Sequence, residues 1–132
     1  MRAFREAVEA QDMDAVEALL AEDVVFTSPV VFKPYPGKAI TAAILHAVAR
    51  VFEDFRYERE IGDPDGPDHA LVFSARVGDR RLTGCDFIHV NEEGLIDDLM
   101  VMVRPLSGAQ ALQEAMAARF ESIAKDAEAR IG

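Results

Sequence analysis

Apolar residues alternate from Arg80 to Pro105, and the alternation breaks only at Asn91-Glu92-Glu93-Gly94. Period-two alternation of that length predicts two long strands joined by a hairpin, with Gly94 supplying positive φ in a bulged turn. Leu82, Gly84, Asp86, Ile88 and Val90 share one face of the first strand, because successive side chains point to opposite sides. Asp86 therefore interrupts an apolar row. The opposite face carries Cys85, Phe87 and His89, and the next strand adds Met100, Met102 and Arg104. That face is too apolar for a sheet surface that simply meets water.

Upstream, the period changes to that of helices. Phe4, Ala7 and Val8 predict a helix over 2–11, and Val16, Leu19 and Leu20 a second over 15–21, with Asp12 or Asp14 as its N-cap. A strand over 23–31 has Val24, Phe26 and Ser28 on one parity, and Pro29 confines it to an edge or ends it. Residues 32–37 form a loop fixed by two prolines. Ile40, Ile44, Ala47, Val48, Val51 and Phe55 then stripe a helix over 38–55, with His46 pointing away from the stripe. Residues 56–61 alternate again, and 62–68 (GDPDGPD) are the strongest turn signal in the chain. A strand over 70–77 turns at Gly78-Asp79 into the opening hairpin. The chain ends in one long helix over about 107–130, striped by Leu112, Met116, Phe120, Ile123 and Ala127, with Ser107 and Gln110 at capping-box spacing.

No repeat or linker divides the 132 residues, so a single domain over 1–132 is expected. Helices followed by an antiparallel meander predict an α+β fold, in which helices cover one face of a strongly curved sheet. A cavity between the two layers is a natural ligand site.

Charge narrows the partners. The excess of 24 acidic over 14 basic residues gives a formal charge of −10, which disfavours nucleic acid and anionic membranes. A single cysteine, Cys85, permits no intrachain disulfide, and with no cation or helix N-terminus adjoining it in sequence a buried, inert thiol is expected. No CxxC or HExxH spacing marks a metal site. No apolar run approaches the ~20 residues that span a bilayer. With no signal core read at the N-terminus, a cytoplasmic protein without metal or organic cofactor is expected.

Two blocks, EAQDMDAVEALLAEDVVFTSPVVFKPYPGKAI and DFIHVNEEGLIDDLMVMVRP, resemble the SnoaL-like branch of the nuclear transport factor 2-like superfamily. The resemblance covers Phe4 to about Pro105. It implies a cone-shaped sheet, antiparallel or mixed, wrapped around the N-terminal helices, with a mostly apolar pocket on the concave side. The superfamily includes ketosteroid isomerase, limonene epoxide hydrolase, scytalone dehydratase, polyketide cyclases and non-catalytic binding domains, so the resemblance constrains fold more than function.

Carried over residue by residue, the isomerase pattern leaves one group of three. Its general-base aspartate falls at Ser28, its helix tyrosine at Phe4, and its strand aspartate at Asp86. Serine cannot replace a carboxylate that shuttles protons, and phenylalanine donates no hydrogen bond. The epoxide hydrolase arginine falls at Gly84. A polyketide-cyclase type of chemistry needs only one pocket acid, and Asp86 supplies one.

Asp86 is thus the candidate acid/base, with a raised pKa expected if it is desolvated and with Ser28, Tyr57 or a bridging water as its alternative partners. Phe4, Phe26, Ser28, Phe32, Tyr35, Tyr57, Leu82, Leu99, Val101 and Val103 are expected to line a pocket for a small apolar ligand. Phe87, His89, Met100, Met102 and Arg104 are expected to form a homodimer interface on the convex face, unless the last helix folds back over it. His46, His69 and His89 are read as surface or interface residues. A non-catalytic binding protein and a dimeric association module remain the alternatives to an enzyme.

Overall fold

The computed structural model describes residues 1–131. One six-stranded mixed sheet organises them, in the order β2-β1-β6-β5-β4-β3. Its strands are β1 (Leu20–Thr27), β2 (Tyr35–Pro36), β3 (Glu53–Ile61), β4 (Asp68–Val77), β5 (Arg80–Val90) and β6 (Ile96–Arg104). All neighbours are antiparallel except β1 and β6, which run parallel. The fold is α+β, with the sheet curved and open. Register irregularities in β1, β3 and β6 accompany that curvature, since an extra residue bends a strand and increases its twist.

The hairpin is as its pattern predicts. Gly94 has φ +81°, and Asn91 Oδ1 accepts from the amides of Glu93 and Leu95 to close the turn. Asp86 lies opposite Leu71 on β4 and Val101 on β6. These side chains share the concave face with Phe73, Ala75, Leu82, Ile88 and Leu99, all buried.

Five helices complete the described residues: α1 (Arg2–Glu9), α2 (Met13–Ala18), α3 (Lys38–Val51), α4 (Leu106–Ala117) and α5 (Phe120–Ile131). Asp12, not Asp14, caps α2 by accepting from the Ala15 amide at 3.1 Å. The helix α3 packs on β1 and α5 and stops at Val51, because Phe52 is already extended. Phe55 therefore belongs to β3, where it joins Phe52 and Phe73 in an aromatic cluster.

The single C-terminal helix is corrected to two, α4 and α5, broken at Ala118-Arg119. No Gly or Pro marks the break. It lets α4 seat on the end of the sheet while α5 runs back along α3, held there by Arg130 pairing with Glu17 of α2 and Asp126. Neither Ser107 nor any other side chain caps α4, whose N-cap is Pro105. No helix among the described residues is long and apolar enough to cross a membrane.

Candidate functional site

The concave face and the helices enclose a cavity of about 520 Å³, well inside the range of small-molecule sites. Its walls are largely apolar: Phe4 from α1, Ile44 and Val48 from α3, Leu112 and Met116 from α4, Ile123 from α5. Exposed Gln11, Val31, Gln113 and Phe120 border it on the solvent side.

Asp86 is buried on the sheet side of this cavity. Its Oδ2 accepts from the Tyr57 hydroxyl at 2.7 Å. Burial pushes the carboxyl up from 3.8 to about 7, with the Tyr57 bond pulling the other way. The Tyr57 hydroxyl moves far above its ordinary value, first through burial and then through the adjacent Asp86 charge. Tyr57 therefore keeps its proton and acts as the donor. Its ring is fixed by Phe55, edge-on at 5.0 Å, and by Phe73 at 6.3 Å. The pair amounts to a buried acid near neutrality, oriented by one phenol and facing apolar space.

A model of the SnoaL-like domain matches residues 1–99. The chain belongs to the SnoaL-like family. An uncharacterised bacterial protein with a cystatin-like fold from Silicibacter pomeroyi DSS-3 superposes with a TM-score of 0.89 at 40% identity, over 98% of this chain and 90% of that one. A protein from Pseudomonas aeruginosa described as a steroid delta-isomerase gives 0.85 at 44% identity, over 90% and 87%. A nuclear transport factor 2-like protein of unknown function from Mesorhizobium loti, at 21% identity and 0.69 over 80% and 88%, shares the fold. No curated protein matches the chain by sequence.

In this SnoaL-like domain, Phe4, Phe26, Ser28, Tyr35, Tyr57, Leu99 and Val101 lie on the cavity wall. Three residues expected there do not. Phe32, on the loop between β1 and β2, is 99% exposed, because the proline-bounded loop leads it outward. Leu82 is buried beneath α4, which approaches so closely at Gly108 that a β-carbon there would stand 2.8 Å from Leu82 Cβ. Val103 sits opposite Gly84, toward the same end of the sheet, and packs on the core rather than on the cavity.

Of the alternative partners for Asp86, Tyr57 is the one in contact. Ser28 instead accepts from the Val30 amide at 3.1 Å and shapes its own turn. His69 corrects the surface reading. It is buried in β4, which begins two residues earlier than the pattern suggested, and its Nδ1 lies 3.4 Å from the Met1 amine. His46 is half-buried, with Nε2 3.2 Å from Glu17 and 3.8 Å from Asp14. The ligand atoms of those three groups lie within 4.8 Å of one another, but Arg130 already occupies the Glu17 carboxylate. Cys85 is partly covered, and burial raises its thiol pKa, so it is a weak nucleophile.

The sequence stripe of α4 and α5 contained the cavity residues Leu112, Met116 and Ile123. Their spacing marked them as apolar without saying that they face a void.

Proposed function

We propose that this SnoaL-like domain is a cofactor-independent acid/base enzyme for a small, mostly apolar substrate, of isomerase, cyclase or dehydratase type. The Tyr57–Asp86 pair on the cavity wall carries this reading. As a carboxylate, Asp86 is close enough to neutrality to take a proton from carbon and return it, and burial strengthens it as a base. Tyr57 holds one oxygen by its hydrogen bond, leaving the other to meet substrate. The likeness to a protein described as a steroid delta-isomerase supports the class of chemistry, proton transfer at carbon. It does not extend to the substrate, because Ser28 and Phe4 stand where the isomerase pattern has its base and its helix tyrosine.

Incubating the protein with enolisable ketones, hydroxyketones and aminoketones among them, in D₂O and following C–H exchange by NMR tests this. Exchange should rise with pH and level off above about 7, as Asp86 ionises. It should drop by roughly 100-fold or more in Asp86→Asn, while affinity for a neutral ligand persists. Exchange surviving in the variant would refute the role of Asp86. If affinity falls along with exchange, Asp86 is a recognition group and the non-catalytic binding reading takes over.

We also propose a homodimer through the convex sheet face. Phe87 is 40% and Met102 55% exposed there. The helices α4 and α5 border the cavity on the other side of the sheet, so they do not fold back over this patch. His89 and Met100 flank the patch, with Arg104 toward one end and Asp98, paired with His89 in register, toward the other. A two-fold axis through the apolar centre would bring opposite charges together. Light scattering should give twice 14.5 kDa. Phe87→Glu with Met102→Glu should weaken association by roughly 100-fold or more. A monomer at high micromolar concentration would remove the proposal.

A further inference from the structure

The polar lining of the cavity is one-sided in charge. Among the described residues four carboxylates border it, Glu9, Glu53, Asp54 and Asp86, and no Lys, Arg or His does. Three of the four are answered from outside the cavity. Arg5 reaches Glu9 at 3.3 Å, and Arg76 holds both Glu53 and Asp54. Asp86 has no cation among the described residues. Its only hydrogen-bond donor among the described residues is Tyr57, which spends its single hydrogen on Oδ2. When Asp86 is ionised, the Tyr57–Asp86 pair therefore offers lone pairs and no donor.

The surroundings make that asymmetry consequential. Leu71 and Val101 flank Asp86 on the adjoining strands, and α3, α4 and α5 bring only uncharged residues to the cavity. An anion placed here would meet a like charge in a desolvated site with nothing to neutralise it. An ammonium would gain the missing partner, and a hydroxyl would at least donate to it.

We propose that the cavity selects its ligand by charge, taking an apolar molecule whose polar end is a hydrogen-bond donor, an amine most strongly, and excluding carboxylates, phosphates and other anions. This rests on the small-molecule reading of the cavity above. The groups nearest the Tyr57–Asp86 pair leave Asp86 in control of the pH response. On α1, Glu9 and Arg5 act in opposite senses on the Tyr57 hydroxyl. Cys85 faces the other side of β5. On β4, His69 is displaced along the strand, opposite Ile88.

Three ligands on one skeleton, naphthylethylamine, naphthylethanol and naphthylacetic acid, titrated calorimetrically into the intact protein at pH 8, provide the test. The amine should bind about tenfold tighter than the alcohol and roughly 100-fold tighter than the acid. Amine affinity should fall between pH 8 and pH 6 as Asp86 takes up a proton. In Asp86→Asn the amine preference should vanish while the alcohol still binds. An acid that binds as well as the amine overturns charge selection and leaves the cavity reading intact, and an amine preference kept in Asp86→Asn overturns it too. If none of the three binds and an apolar fluorescent dye finds no site either, both readings fall.

Discussion

The stability gained on replacing Asp86 by asparagine should be about 4 kcal/mol larger at pH 8 than at pH 4. The Asp86 carboxyl is held near 7 in the folded protein against an ordinary 3.8, and each tenfold change in a proton equilibrium is worth about 1.4 kcal/mol. Between those values the folded protein keeps a proton that the unfolded chain has released. Stability therefore falls as pH rises through that window. Below it both states are protonated and the group contributes nothing. Above it the folded state carries a buried carboxylate with one hydrogen bond, and the full penalty applies. Asparagine resembles the protonated acid, can still accept from Tyr57, and does not titrate. Asp54, whose pKa is lowered by the Arg76 bond, contributes with the opposite sign, but equally in both proteins. Urea unfolding at the two pH values gives the difference directly. Equal pH slopes for wild type and variant would mean that water reaches Asp86 freely. A cost of this size, kept in the one position the catalytic proposal needs, is what a trade of stability for function looks like.

The sheet was legible in the sequence because its signals are local. Period-two alternation placed Asp86 among Leu82, Gly84 and Ile88 on the inward face, and the turn glycines marked the hairpins. Helix stripes placed most of the core. What stayed hidden was settled by contacts distant in sequence. Tyr57 and Ser28 were both reasonable partners for Asp86. The choice fell to the pairing of Tyr57 with Phe73 across β3 and β4 and to the turn that engages Ser28 with Val30, neither of which a residue pattern encodes. The break between α4 and α5 is likewise tertiary. An uninterrupted apolar stripe satisfies one long helix as well as two, and only the packing of α5 on α3 decides. Phe32 erred in a different way: an aromatic residue in a loop reads as core by composition, yet a short proline-bounded connection can leave it in water.

Substituting Gly84 should be the most damaging small change in the sheet, and it bears on why this chain lacks the epoxide hydrolase arrangement. Gly84 pairs with Phe73 across β4 and β5, and the Phe73 ring lies over it. A β-carbon at Gly84 would stand 2.2 Å from Phe73 Cζ and under 3 Å from both ring ε-carbons. Phe73 is fully buried and stacked on Phe55 at 4.9 Å, so the ring has little room to retreat. Gly84→Ala should therefore destabilise by roughly 1–3 kcal/mol through overpacking. Because Phe73 and Phe55 hold the Tyr57 ring, the displacement should also reach the Tyr57–Asp86 bond, lowering exchange activity in the molecules that still fold. Arginine, the residue the hydrolase pattern has at this position, would have to displace the whole ring, and Gly84→Arg should not fold. Thermal unfolding of Gly84→Ala, Phe73→Leu and the double variant, compared as a cycle, separates the causes. If the clash is responsible, Gly84→Ala should cost less in the Phe73→Leu background than in the wild type. If the double variant is only additive, the glycine serves something other than the approach of Phe73. In this domain the aromatic cluster that orients Tyr57 occupies the space an arginine would need, so the one-acid site and the Asp-Arg-Asp arrangement are alternative packings of the same strand.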